Sequence, residues 1–258
     1  MARGYWAIRT YRAGMVGEKI KYWVPGEKPT RSQRKLRSDI KQQQRNEANA
    51  ERRLARLLNE YFSPGDLLVR LSYSDAGLER TLAGIDREAE GAEDAAYQAA
   101  QHQARLWRDR AARACKAAGV PLRYVIVTSD MDGKTGEAVR LHHHVVINRE
   151  AVEIALGKWS LGETNQKRLY DQVDYTGLAE YLLEQVRRMP DEKKYIPSRN
   201  MPMPQPKDRI ARNGAELAVP KGGQLLHRSE YQPGRPQYIR YILPEVGKLR
   251  REREQKRE

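Results

Sequence analysis

Three consecutive histidines, His142, His143 and His144, sit inside the run Arg140-Leu141-His142-His143-His144-Val145-Val146-Ile147-Asn148, which otherwise reads as a buried strand. No other segment constrains the chain as much, because a strand sends successive side chains to opposite faces. His142 and His144 must share one face, and His143 the other face with Leu141, Val145 and Ile147. Two residues of strand rise span about 6.6 Å, a gap that two imidazoles close by leaning toward one ion. The chain has five histidines in all, so imidazole is concentrated here rather than scattered.

Charge gives that pair a context. There are 48 Lys and Arg against 34 Asp and Glu, a net charge of +14 with a pI of about 9.8. Such a balance favours a polyanionic partner, and nucleic acid is the commonest. Two ligands on a rigid strand in so basic a chain point to a metal held against a phosphate backbone. Over 258 residues, 32% are charged and the mean hydropathy is −0.85, which implies a modest core dressed with polar extensions. The single cysteine, Cys115, excludes an internal disulfide and a cysteine-based zinc site; its alanine-rich surroundings make it a small packing residue. Met1-Ala2-Arg3-Gly4 lacks the apolar stretch of a secretory signal and no run is long enough to span a bilayer, so a cytoplasmic protein without a membrane partner is expected.

Along the chain, an aromatic-rich element around Ile20-Lys21-Tyr22-Trp23-Val24 is followed by a helix expected from about Ser32 to Tyr61. Leu54, Leu57, Leu58 and Tyr61 form an apolar stripe in its second half. Between Thr30 and Leu57 nine basic residues (Arg31, Arg34, Lys35, Arg37, Lys41, Arg45, Arg52, Arg53, Arg56) face three acidic ones (Asp39, Glu47, Glu51). This excess fits either a solvated helix face or an arm on DNA. A strand is expected over 67–73, then a linker carrying Gly77, Gly84 and Gly91, and a second long helix from Glu93 to Ala118. Next comes a hairpin, Leu122–Thr128 and Val139–Ile147, closed by Asp132-Gly133-Lys134-Thr135-Gly136. A short helix over 150–157, a strand near 167–170 and a helix over 175–188 follow. Five prolines mark 190–212 as an extended loop. Short strands near 216–219 and 237–242 precede a charged tail from Lys248. The order over 66–188 implies an α+β fold: a central antiparallel sheet with helices packed on one face, plus basic helical extensions. The division expected is 1–62, 63–190 and 191–258.

Two neutral nitrogen ligands suit Mn, a Mg-like ion or Zn only if oxygen completes the set. Asp130, at the end of the partner strand, has a better claim than Asp132 in the loop. No His-Glu-x-x-His helix is present to support a zinc hydrolase. Tyr181 lies one helix beyond the histidine strand and is flanked by Arg187 and Arg188, with Tyr175 and Tyr170 as competitors. A phenol of pKa near 10 needs cationic neighbours or a metal-bound phosphate to act as a nucleophile near neutrality.

Leu67 to Tyr73, then Leu141-His142-His143-His144-Val145-Val146-Ile147-Asn148, then Tyr181 on a helix resemble the three motifs of HUH endonucleases. The likeness is to the rolling-circle replication initiators of small phages and plasmids, and Ser198-Arg199-Asn200 looks like phage members of that group. The match covers roughly residues 66–188. It implies site-specific nicking and rejoining of single-stranded DNA at a replication origin through a 5′-phosphotyrosyl link on Tyr181. Mg²⁺ or Mn²⁺ would be held by His142, His144 and Asp130. Arg34, Lys35, Arg37, Lys41, Arg45, Arg187 and Arg188 would contact DNA. A host helicase and polymerase are further expected partners, in the cytoplasm of a bacterial host. The chain departs from the family pattern at His143, normally apolar, and at Glu184, where a lysine often follows the tyrosine. The missing cation then falls to Arg187, Arg188, Lys158 or Lys193. Two rival readings are a non-catalytic single-strand-binding replication accessory protein, stacking bases on Trp6, Tyr22 and Trp23, and a relaxase or single-tyrosine transposase.

Overall fold

The computed structural model describes residues 4–26, 39–170, 172–186, 193–212, 215–230 and 235–244, with side chains for all of these except 39–47. In chain order the elements are β1 (Tyr5–Ala13), β2 (Val16–Val24), α1 (Asp39–Tyr61), β3 (Leu67–Ser72), α2 (Asp75–Thr81), α3 (Ala92–Ala117), β4 (Tyr124–Met131), β5 (Ala138–Ile147), α4 (Val152–Leu156), β6 (Thr164–Arg168), α5 (Thr176–Glu184), β7 (Ile196–Pro197), β8 (Lys207–Ile210), β9 (Gln224–Arg228) and β10 (Gln237–Ile242). The class is α+β, with two five-stranded sheets of antiparallel strand pairs instead of the single sheet expected. The chain forms two compact units, one of Met1–Glu60, Val173–Thr176 and Met203–Glu258, the other of Tyr61–Gln172 and Gly177–Pro202.

The first unit is built from both ends of the chain, in strand order β8-β1-β2-β10-β9. The strand expected near 237–242 is β10, whereas the N-terminal region, expected as a helical extension, supplies β1 and β2 ahead of α1. β1 and β2 pair from Tyr5↔Val24 to Ala13↔Val16 across a two-residue turn. Gly14 takes φ 54° there, and a Cβ would run into the Asn59 carbonyl, so only glycine fits. In α1, Leu54, Ala55, Leu57 and Leu58 are buried, which matches the apolar stripe. Arg56 belongs to that interior too. Its guanidinium makes a two-point ion pair with buried Glu18, at 3.0 and 2.7 Å, and lies 3.5 Å above the Tyr11 ring. Residues 216–219 form no strand; Leu217 joins a core with Ile8, Ile239 and Tyr241.

The second unit holds the sheet β6-β3-β5-β4-β7. Leu67, Val69 and Leu71 of β3, Tyr124 and Ile126 of β4, and Val145 and Ile147 of β5 form one face. α3 covers it with Ala100, Ala104, Trp107, Ala111 and Cys115, a stripe of three- and four-residue steps whose small residues admit the helix closely. The expected linker contains α2, capped by Ser74 Oγ, which accepts from Gly77 N. Gly77 is a close-approach residue, since a Cβ there would strike the Leu161 carbonyl. The proline-rich loop contributes β7, and Ser198 ties it to β4: its N–H donates to the Tyr124 carbonyl at 2.8 Å. Asn148 closes the hairpin, its Oδ1 accepting from Arg123 N and its Nδ2 donating to Pro121 O. α5 lies on the opposite face from α3, so helices pack on both faces of this sheet and not on one. No helix among the described residues is long and apolar enough to cross a membrane.

Candidate functional site

The β5 register places the histidines as strand alternation requires. His142 pairs with Ser72 and Ser129, His143 with Leu71 and Thr128, and His144 with Arg70 and Val127. His143 enters the core side, beside Tyr73 and Trp159. His142 and His144 face the other way, toward α5.

The His142 and His144 Nε2 atoms are 3.0 Å apart, and Gln185 Oε1 is 2.9 Å from His144 Nε2. His142 Nδ1 lies 2.9 Å from the Arg140 carbonyl, an acceptor only, so Nδ1 carries the proton and Nε2 presents a lone pair. The orientation of Gln185 is set by its Nε2, which donates to the Tyr181 carbonyl at 3.0 Å. Two ring nitrogens and one amide oxygen therefore converge with at most one proton among them. Two ligand atoms at right angles on an octahedral ion, each about 2.1 Å away, are about 3 Å apart, which is the separation seen here. The two imidazoles favour a divalent transition ion, and the amide oxygen adds a hard donor of the kind Mn²⁺ and Mg²⁺ take. The Arg140 carbonyl supplies the outer hydrogen bond that orients His142, whereas His144 Nδ1 is buried with no hydrogen-bond partner among the described residues.

Burial holds the imidazoles neutral, as a metal ligand requires. It pushes His144 down to about 4, with His142 and Arg70 adding to the shift and the Gln185 hydrogen bond opposing it. His142 is lowered as well, first by burial and then by Arg70, against its bond to Arg140.

Tyr181, 45% exposed, stands edge-on to His144 with ring centroids 5.7 Å apart. Gln185 follows four residues later and so shares its side of the helical turn. Tyr175 is buried, its N–H donating to Asn59 Oδ1, and Tyr170 is exposed. Asp130 is buried at the point where the β4–β5 register becomes irregular. Among the described residues no three His, Cys, Asp or Glu side chains come together as a metal-binding set. Asp132 is used by its own loop, Oδ1 accepting from Lys134 N and Thr135 N.

Of the expected DNA contacts, Arg34, Lys35, Arg37, Arg187 and Arg188 lie outside the described residues, as do the side chains of Lys41 and Arg45. Two residues take on importance only through tertiary structure. Gln185 is legible in sequence as a member of the Tyr181 face, but nothing in its neighbourhood marks it as a ligand. Arg70 reads in sequence as the polar position of an alternating strand, and pairing with His144 gives it a place. No family model, curated protein or solved structure matches this chain.

Proposed function

We propose that the protein is a metal-dependent tyrosine endonuclease that nicks and rejoins single-stranded DNA to start rolling-circle replication. The observation that supports this most is the convergence of His142 Nε2, His144 Nε2 and Gln185 Oε1 beside the half-exposed Tyr181. Gln185 adds an amide oxygen to the expected ligands His142, His144 and Asp130. A bound Mn²⁺ or Mg²⁺ would polarise a non-bridging phosphate oxygen and offset the charge that develops in the transition state. The Tyr181 phenolic oxygen attacks the phosphorus in line; the new bond is Oη–P and the broken one P–O3′. The 3′-hydroxyl released can prime synthesis, and the phosphotyrosyl link retains the phosphodiester energy for resealing. Exposure of Tyr181 gives the strand access, and α5 fixes the ring against His144.

Incubation with labelled single-stranded DNA and Mn²⁺ should yield a covalent adduct that maps to Tyr181. Tyr181→Phe removes one oxygen and should abolish the adduct without changing the melting temperature. His142→Ala combined with His144→Ala should abolish both the adduct and Mn²⁺ binding. Absence of any adduct with a random-sequence single-strand pool would leave a DNA-binding protein. An adduct on Tyr170 or Tyr175 would relocate the nucleophile.

A further inference from the structure

Arg70 stands directly across from His144 in the β3–β5 pairing, and Asn165 stands across from Arg70 in the β3–β6 pairing. Directly opposed residues of antiparallel strands project from one face with Cβ atoms about 5 Å apart. From the metal pair outward, that face reads His144, Arg70, Asn165, with Lys167 opposite Leu68 one step along and β6 as the sheet edge. Arg70, Asn165 and Lys167 are all exposed. Arg70 forms no ion pair with any described residue, and β6, Thr-Asn-Gln-Lys-Arg, carries no carboxylate.

We propose that Arg70 grips the scissile phosphate of a single DNA strand, which continues over β3 to Lys167 at the β6 edge. This assignment rests on the nicking reading above. Among the described residues this guanidinium, next to two imidazoles, has no ion-pair partner, and an ion on those imidazoles would repel it. One phosphate between the two cations satisfies both. The planar fork donates two parallel N–H bonds to phosphate oxygens, which fixes the phosphorus for in-line attack in a way a point charge cannot. The cation missing from α5, where Glu184 stands, is thereby supplied from β3. Lys158 follows α4, whose Val152 and Ala155 join the core on the opposite face, so it is poorly placed for the role. At the far end of the track, Lys167 Nζ lies 4.8 Å over the ring of Tyr170, a residue 65% exposed. A ring so presented can stack an unpaired base beside a phosphate held by Lys167.

The strand that becomes joined to wild-type protein, selected from random single-stranded DNA with Mn²⁺, is sequenced to locate the scissile phosphate. Binding of that strand in EDTA is then measured with the native phosphate and with an uncharged methylphosphonate at that position. Arg70→Ala should bind the native strand about tenfold more weakly, the scale of one charge-assisted hydrogen-bonded contact. The methylphosphonate should weaken wild type by a similar factor and leave Arg70→Ala unchanged, and Arg70→Lys should fall between. Arg70→Ala should bind Mn²⁺ at least as tightly as wild type, because a repelling charge is lost, and this shows the histidine face intact. Native affinity in Arg70→Ala, or an equal methylphosphonate effect in both proteins, would overturn the assignment while an adduct on wild type upheld the nuclease. If wild type joins no DNA, the nuclease reading fails and Arg70 loses this role with it.

Discussion

At the scale of single residues, His143 shows what a position can hide. The expected likeness to HUH endonucleases makes this slot apolar, so His143→Leu is expected to leave metal binding and cleavage intact. The structure gives the residue a part in folding. His143 is fully buried, with Nε2 2.8 Å from the Tyr73 hydroxyl and Nδ1 3.1 Å from Thr128 Oγ1. Leucine would leave Thr128 Oγ1 without its imidazole partner and take one of two partners from the Tyr73 hydroxyl, which also bonds Thr81, at about 1–3 kcal/mol for a group left unpaired, offset in part by apolar burial. Urea unfolding in EDTA should therefore show His143→Leu clearly destabilised, and adding Tyr73→Phe should recover part of the deficit. The same residue gives a pH dependence. Burial first, then electrostatic interaction with the neighbouring His142 and His144, push its imidazole down to about 3 from the ordinary 6.5. Between these values the unfolded chain binds a proton that the core refuses. The His143 contribution is thus fully favourable above about pH 6.5 and is lost as pH falls toward 3. The slope of stability against pH between 6.5 and about 5 should be shallower in His143→Leu than in wild type, both measured in EDTA. An unchanged slope would mean that His143 does not titrate differently on folding.

At the scale of elements, the histidine site is assembled by the hairpin and α5 together. Gly133 in the hairpin loop shows how closely they meet: a Cβ there would lie 3.0 Å from Glu184 Cβ and 3.2 Å from Gln185 Cγ. Those approaches are tighter than side chains accept without moving, and Gln185 is the residue they would displace. Gly133→Val should therefore weaken Mn²⁺ binding about tenfold or more, the usual effect of disturbing a group that supports a metal site, with only a small change in melting temperature. Direct titration of Mn²⁺ checks this, and unchanged affinity would argue against Gln185 as a ligand. A complementary variant, Gln185→Glu, keeps the shape of the side chain and adds a charge, so it should bind Mn²⁺ more tightly than wild type, whereas Gln185→Leu should bind it more weakly.

At the scale of the whole molecule, part of the basic excess behind the charge of +14 is interior charge. Arg56 is held inside the first unit by Glu18, and removing one member of a buried pair costs about 3–5 kcal/mol. Arg56→Ala should lower stability on that scale, read by urea unfolding. The basic run Arg34, Lys35, Arg37, Lys41 and Arg45 is the arm expected on DNA. Neutralising it should flatten the dependence of log affinity on log salt by roughly 0.7 for every single-strand phosphate that the arm neutralises. An unchanged slope would return the run to a solvated helix face.

The sequence by itself determined what depends on neighbours along the chain. The parity of His142, His143 and His144 follows from backbone geometry alone. So do the hairpin that carries them, the apolar stripe of α1 and the packing role of Cys115 on α3. Tertiary structure decided which distant segments share edges and faces. β1 and β2 complete their sheet with β8, β9 and β10 from the other end of the chain, a pairing that no local pattern records. It also decided that Gln185 stands at the histidine pair, that Arg70 lies opposite His144, and that Arg56 is buried. The physical reason is the same in each case: periodicity fixes which way a side chain turns, while its partner is fixed by hydrogen bonds and burial between segments far apart in sequence.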